Sequence, residues 1–494
     1  MSLESIHNTG MKRSTVLILA GLSILSVLTY LLVSRIYFRI GFPLDDSWIH
    51  QTYARNLARS GEWAFLPGQP SGGSTSPLWT MILSIGYLIH ISPYGWTFSM
   101  GILILWGIAY LAEVTVRSQV ASYRSTFPWI GCLIVFEWHL TWAAASGMET
   151  LLFSAVVMWV LFSLIEENPK YFKIGILIGI GIWLRPDGLT LLGPACFVGI
   201  LNKSPIKRRI NNIGRILLGF GGLFSLYLLF NLALTDNSWP TTFYAKQAEY
   251  MSLLDLSFVG RIGKLSVQLI IGVGSILLPG YILTMVKAIR KQMWGFLAGL
   301  LWLLGVLGLY AWRLPVIYQH GRYVIPCMLV FFTFSCIGMM DYLQRSYQGW
   351  RWVMKNTWKI TVVSILIIFW GYGSFVYSRD VAFIESEMVD TANWVNKNLP
   401  ADTLVAAHDI GALGYFGNYE IIDLAGLISP EVIPFLRDET RLADYLDAIK
   451  VDYLITFPDW YPELTRDLLE VFSTHGRFAP AMGGENMVIY RWLH

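Results

Sequence analysis

Two adjacent carboxylates open the chemistry of this chain: Leu44-Asp45-Asp46-Ser47. Neighbouring carboxylates repel, and their side chains leave the backbone in different directions. One can then act as a base while the other orients a group or holds a divalent cation such as Mg or Mn. The pair fits an alternative equally simple: Asp45 as a helix N-cap and Asp46 as a solvated neighbour. Five other polar clusters interrupt the apolar sequence. Residues 67–77, PGQPSGGSTSP, form a hydroxyl-rich loop that could cradle a phosphate or sugar, or simply connect. Ser146-Gly147-Met148-Glu149-Thr150 puts a carboxylate at a tight turn, where it either caps the next helix or binds substrate. Leu184-Arg185-Pro186-Asp187-Gly188 offers a cation and an anion that either pair with each other or serve a site. In the stretch 237–246, Tyr244 and Lys246 stand close together, and Lys246 is a mobile point charge suited to a phosphate or to snorkelling. His320-Gly321-Arg322-Tyr323 supplies an arginine fit for bidentate phosphate contact or for interfacial anchoring.

These residues need a scaffold, and composition says what kind. Of the 494 residues 55 % are hydrophobic and only 14 % charged, which excludes an ordinary soluble enzyme, a disordered chain and a disulfide scaffold. Cys132, Cys196, Cys327 and Cys336 all lie in apolar runs and read as core residues, without a redox or metal signal. Apolar runs long enough to cross a bilayer are expected near 14–34, 96–113, 127–145, 149–165, 170–184, 187–201, 214–234, 265–287, 294–312, 322–341 and 358–377. The shorter run 77–91 is read as re-entrant or interfacial, which leaves about eleven crossings. Lysines and arginines at 202–215, Lys203 among them, and at 287–291 and 342–359 put those loops in the cytoplasm. The N-terminus is then inside and the C-terminus outside, in a multi-pass plasma-membrane protein. Arg35, Arg39, Arg55 and Arg59 oppose this, because they fall in the first outer loop. Every polar cluster above lands on the outer face. Glu113, Glu137 and His139 lie within or at the ends of spans and read as internal hydrogen-bonding groups rather than a proton relay.

From Arg379 to His494 the chain carries 8 basic and 19 acidic residues, against 28 and 14 before it. That shift sets a boundary between a membrane domain, 1–377, and a tail domain, 378–494. The tail reads as a small extracytoplasmic α/β domain, with helices near 381–397, 439–449 and 462–472 and strands at 403–407, 419–424, 452–456 and near 476–492.

Carboxylates and cations around one lipid-facing end of a helical bundle suit a ligand with an anionic head and a long tail. The segments LDDSWIHQTYARNLARSGEW, GGSTSPLW, SGMET, LRPDG, PTTFYAK, GRYVIP and HDIGALGYFGNYEIIDLAGL resemble, in order, those of the GT-C superfamily of polytopic glycosyltransferases. The resemblance is greatest to the branch that uses decaprenyl-phosphate-arabinose. It implies a GT-C-like helical bundle with a C-terminal α/β domain, and transfer of a hexosyl or pentosyl group from a polyprenyl-phosphate sugar to a glycan, lipid or protein acceptor. Nucleic acid has no place in that chemistry. The resemblance further implies that Asp45 or Asp46 is the catalytic acid–base residue. Glu149, Arg185 and Asp187 would line the cavity. Tyr244, Lys246, His320, Arg322 and Tyr323 would face donor phosphate or sugar. The tail would cover the cavity, with His408 and Asp409 nearest the membrane; Asp409 equally suits a cap of the turn after it. A lipid-linked glycan flippase is the competing class. It would string ionisable residues through the bundle and repeat itself in inverted order, and neither is seen.

Overall fold

The computed structural model describes residues 12–201, 204–417 and 419–493, so Lys203 of the expected inner loop lies outside the described residues. Seven helices among them are long and apolar enough to cross a membrane: Arg13–Tyr37, Pro93–Gln119, Ile206–Thr235, Val273–Lys291, Trp294–Arg313, Ile325–Leu343 and Trp350–Asn398. Four shorter apolar helices, Pro77–Leu88, Thr150–Ser163, Tyr171–Leu184 and Pro186–Leu201, pack among them. At 12 residues Pro77–Leu88 rises about 18 Å, short of a hydrocarbon core of about 30 Å.

Two of the expected spans are broken, one at a polar residue and one at a glycine. The run 127–145 becomes two eight-residue helices, Trp129–Phe136 and Trp138–Ala145, parted at Glu137, whose backbone is extended. The Glu137 carboxylate accepts from the Leu140 N–H at 3.1 Å and meets His139 Nδ1 at 2.8 Å. Glu113 accepts from the N–H groups of Ile130 and Gly131 and from Arg117 Nε. Both buried glutamates thus satisfy amides that a broken helix would leave orphaned. The run 265–287 is likewise divided into Phe258–Ile270 and Val273–Lys291 by Gly272, whose φ of 71° suits glycine.

After the first span, the helix Asp46–Ser60 carries the acidic pair at its start. The small hairpin of β1 (Ala64–Leu66) and β2 (Gln69–Pro70) follows. The helix is packed into the protein along most of its length. Trp48 is fully buried against Phe42, Tyr94, Tyr415 and Phe416, at ring separations of 4.6–5.5 Å. Burying an indole of that kind is worth roughly 4–6 kcal/mol by area. Two of those rings belong to the tail, so the packing holds the tail to the first loop.

No break marks the start of the tail: Trp350–Ile384 runs on through one π turn, Glu385–Val389, into Asp390–Asn398. The tail sheet comprises β3 (Leu404–Ala407), β4 (Glu420–Asp423), β5 (Tyr453–Thr456), β6 (Leu469–Ser473) and β7 (Val488–Arg491), in the order β4-β3-β5-β7-β6. β3 pairs parallel with β4 and β5; β7 pairs antiparallel with β5 and β6. The helix expected at 462–472 is absent. Tyr461, Leu464 and Thr465 do point inward, but 469–473 joins the sheet edge beside β7, where pairing overrides a helical spacing.

Two of the four arginines that opposed the expected sidedness find acidic or carbonyl partners in the tail. Arg39 makes a two-pronged contact with Asp390 at 2.9 and 2.8 Å and lies 3.7 Å from Glu385. Arg55 donates to the carbonyls of Tyr415 and Gly414. Their charge serves docking, so it is a poor reporter of topology.

Candidate active site

The two aspartates part company. Asp45 does not cap its own helix; its carboxyl reaches across to the tail, where Oδ2 accepts from the Gly411 N–H at 2.6 Å and Oδ1 from the Ala412 N–H at 2.8 Å. It therefore caps the short helix Gly411–Phe416, the place expected for Asp409. Only glycine fits at 411, because a Cβ there would sit 2.1 Å from the Asp45 carbonyl oxygen. Burial and the charge of Asp409 push the Asp45 carboxyl up to about 8, against the pull of the two amides.

Asp46 turns the other way, into a cavity. Its Oδ2 accepts from Arg322 Nη2 at 2.5 Å and lies 3.8 Å from Lys246 Nζ. Burial alone would raise this carboxyl; Lys246 and Arg322 outweigh it and hold Asp46 well below the usual carboxylate range. The cavity is also lined by Glu149, Arg185, Asp187, Lys246, Arg322 and Tyr323, so six residues from four separate motifs meet Asp46 there. Arg185 is fully engaged. It contacts Asp187 at 3.0 Å, Glu149 at 3.2 Å and the Tyr310 hydroxyl at 3.2 Å. The alternatives of pairing and site-lining are thus both realised. Tyr323 lies beneath the cations: its hydroxyl accepts from Arg322 at 3.1 Å and Lys246 at 3.4 Å, and Arg185 stands 5.0 Å from its ring centroid.

Arg322 is only 4 % exposed, yet its Nε and Nη1 have no hydrogen-bond partner among the described residues. A buried guanidinium with two donors unused is costly unless an acceptor arrives.

Four expected residues stand elsewhere. Tyr244 is 41 % exposed and packs edge-on to Phe243, outside the lining. His320 contacts Asp380 Oδ2 at 2.7 Å between the rings of Trp138 and Trp142. Its φ of 57°, like the 55° of Gln319, turns the imidazole away from the cavity and forms the bend that precedes Arg322. His408 Nδ1 meets the Tyr461 hydroxyl at 2.7 Å, while Nε2 lies 3.6 Å from Glu249. Burial would lower this imidazole, but Tyr461 and Glu249 raise it well above its ordinary value. Glu249 ends the helix Thr241–Glu249 that delivers Lys246, and Arg437 of the tail donates to its carbonyl. His408 thus meets the last residue of the helix that carries Lys246. One Asp409 oxygen has no hydrogen-bond partner among the described residues; burial pushes the carboxyl up to about 6, with Asp46 and Glu249 adding to the rise and His408 opposing it.

Sequence reasoning missed Tyr310, whose hydroxyl donates to Asp187 at 2.5 Å, because it sits inside an apolar run. It also missed His50, 3.5 Å from Glu149, and Leu427, through which the tail contributes to the cavity wall. Arg313, near the expected phosphate cluster, does line it and donates to Gln247.

A divalent cation does not fit the acidic pair. Asp45 is spent on main-chain amides, Asp46 already faces two cations, and no group of three or more His, Cys, Asp or Glu suited to a metal occurs among the described residues.

With this geometry in hand, comparison with solved structures identifies the architecture. ArnT from Cupriavidus metallidurans bound to undecaprenyl phosphate superposes with a TM-score of 0.56 at 12 % identity, over 95 % of this chain and 98 % of that one. Its apo state gives the same score over 97 % of its length. The apo oligosaccharyltransferase of Archaeoglobus fulgidus gives 0.52 at 10 % identity, over 91 % of this chain and 70 % of that one. The fold is of the GT-C type. Residues 379–490 match a domain of unknown function, DUF8728, which spans the tail. No curated protein matches the sequence. The GT-C-type bundle thus carries its polar cavity where the apolar helices meet a separately recognisable tail.

Proposed function

We propose that the protein is a membrane glycosyltransferase that takes its sugar from a polyprenyl-phosphate donor and passes it to a glycan, lipid or protein hydroxyl. The observation that carries this reading is the Arg322 guanidinium, buried beside the cavity with two donors unused and flanked by Lys246. Such a pair matches the phosphodiester of the donor and the phosphate monoester that leaves when the sugar is transferred. That ArnT binds undecaprenyl phosphate supports the same donor class. The division into a membrane domain, 1–377, and an extracytoplasmic domain, 378–494, belongs to the proposal. So does the orientation with the N-terminus in the cytoplasm.

In the reaction, the acceptor oxygen attacks the anomeric carbon and its proton passes to the Asp46 carboxylate. The bond from that carbon to the phosphate oxygen breaks, and its electron pair leaves with the polyprenyl phosphate. Arg322 and Lys246 hold the charge that develops there, which is the main electrostatic contribution. The same two cations keep Asp46 a weak base while the site is empty. A bound phosphate competes for them, so donor binding makes Asp46 more basic when the base is needed. Asp45 takes no direct part: it holds the tail that completes the wall.

The test is transfer from a radiolabelled polyprenyl-phosphate sugar by purified protein. Asp46→Asn should lose roughly 10²–10⁴-fold in rate, the usual worth of a positioned base. Full activity in a folded Asp46→Asn variant would remove this aspartate from the mechanism.

A further inference from the structure

A second cavity opens at the far end of the bundle. The helix Ile325–Leu343 starts beside Arg322 and Tyr323 of the candidate site, while Met339, Met340 and Leu343 near its end line this other cleft. From Tyr323 to Met339 the helix rises about 24 Å, so the two cavities belong to opposite membrane leaflets.

The cleft exists because the chain is short of helix there. Trp129–Phe136 is only eight residues long, and the segment before it is pinned by Arg117 Nη2, which donates to the Ser125 carbonyl at 2.8 Å. The space left between this segment and the long helix from Trp350 is walled by apolar side chains such as Leu133, Phe136, Val362 and Leu366. Its rim is different in kind. Arg124 and Lys359, both exposed, stand at the cleft, and neither is paired with a carboxylate among the described residues. Among the described residues no acidic side chain lines it. Trp129, 53 % exposed, and Trp358 flank the same rim, as aromatic residues do where headgroups meet hydrocarbon. From Lys359 to Trp370, the deepest lining residue on that helix, the rise is about 16 Å, half of a hydrocarbon core of about 30 Å.

We propose that this cleft is a binding site for one anionic membrane phospholipid, whose phosphate sits between Arg124 and Lys359 and whose acyl chain fills the apolar trough as far as Trp370. Charge complementarity names the headgroup: two unpaired cations, with no anion among the lining residues, sit over a lipid-accessible apolar surface. The single-leaflet depth names a bilayer lipid of that leaflet as the occupant. The site is independent of the transfer chemistry, since no residue lines both cavities.

Native mass spectrometry of the full chain in detergent, titrated with phosphatidylglycerol or phosphatidylcholine, tests it. The protein should retain one phosphatidylglycerol at concentrations where phosphatidylcholine is lost. The double variant Arg124→Gln with Lys359→Gln should bind it at least tenfold more weakly, whereas the charge-conserving Arg124→Lys with Lys359→Arg should keep it. Arg351→Gln, which removes an exposed cation outside the cleft, should change nothing. Equal retention of the two lipids, unchanged binding by the Gln double variant, or an equal loss from Arg351→Gln would each overturn the assignment.

Discussion

Replacing Asp45 by alanine should undock the start of the tail without removing any side chain that lines the cavity. The side chain makes two contacts that matter, with the amides of Gly411 at 2.6 Å and Ala412 at 2.8 Å, both buried. A hydrogen bond in such a place is worth about 1 kcal/mol net, so the pair contributes about 2 kcal/mol. Each amide left unpaired costs somewhat more than that, and relief of the Asp409 repulsion recovers part of the loss, so about 2 kcal/mol is the net figure. It corresponds to an opening equilibrium shifted by about 30-fold. Hydrogen–deuterium exchange reads this directly. Amides in 410–416 should lose up to about 30-fold of their protection, while Ile325–Leu343, buried elsewhere in the bundle, should exchange as before. Unchanged protection at Gly411 and Ala412 would refute the claim that Asp45 latches the tail. A loss spread evenly over the bundle would refute its local character.

The remaining expectations concern charge. Asp45 and Asp409 are raised to about 8 and about 6 from an ordinary 3.8, so the docked state binds more protons than the undocked one between those values. Docking should therefore be firmest below the ordinary carboxylate value of 3.8, weaken steadily as pH rises towards 8 and level off above it; protease resistance of the tail across that range should fall for the native chain and fall less for Asp45→Asn. Arg39→Ala and Asp390→Ala, singly and together, should give a coupling of only about 0.5–1 kcal/mol in thermal unfolding. The pair is two-pronged but a third or more exposed on both sides, so a coupling of several kcal/mol would contradict it.

Much of the site was legible because its residues interrupt apolar runs. Glu149, Arg185, Asp187, Lys246, Arg322 and Tyr323 each sit at the end of a helix, and burying the apolar runs together brings those ends to one place. What could not be read was direction. Asp45 and Asp46 look equivalent along the chain, yet one contacts residues 366 and 367 positions away while the other faces the cavity. His320 looked like a ligand beside Arg322, but two left-handed residues rotate it onto Asp380. Tyr310 was invisible because an aromatic in an apolar helix carries no signal until a carboxylate meets it. The tail strands were legible from their β-branched runs, whereas 462–472 was misread because its inward residues fit a helical spacing and only the partner strand β7 decides otherwise.

The central claim is that Arg322 and Lys246 receive a lipid-linked phosphate beside Asp46. A cryo-electron microscopy structure of the full chain with undecaprenyl phosphate tests it most directly. The account predicts phosphate oxygens about 2.7–2.9 Å from the Arg322 guanidinium, within reach of Lys246, and the polyprenyl chain leaving between apolar helices. A phosphate bound elsewhere, with Arg322 still turned to Asp46 alone, would contradict it.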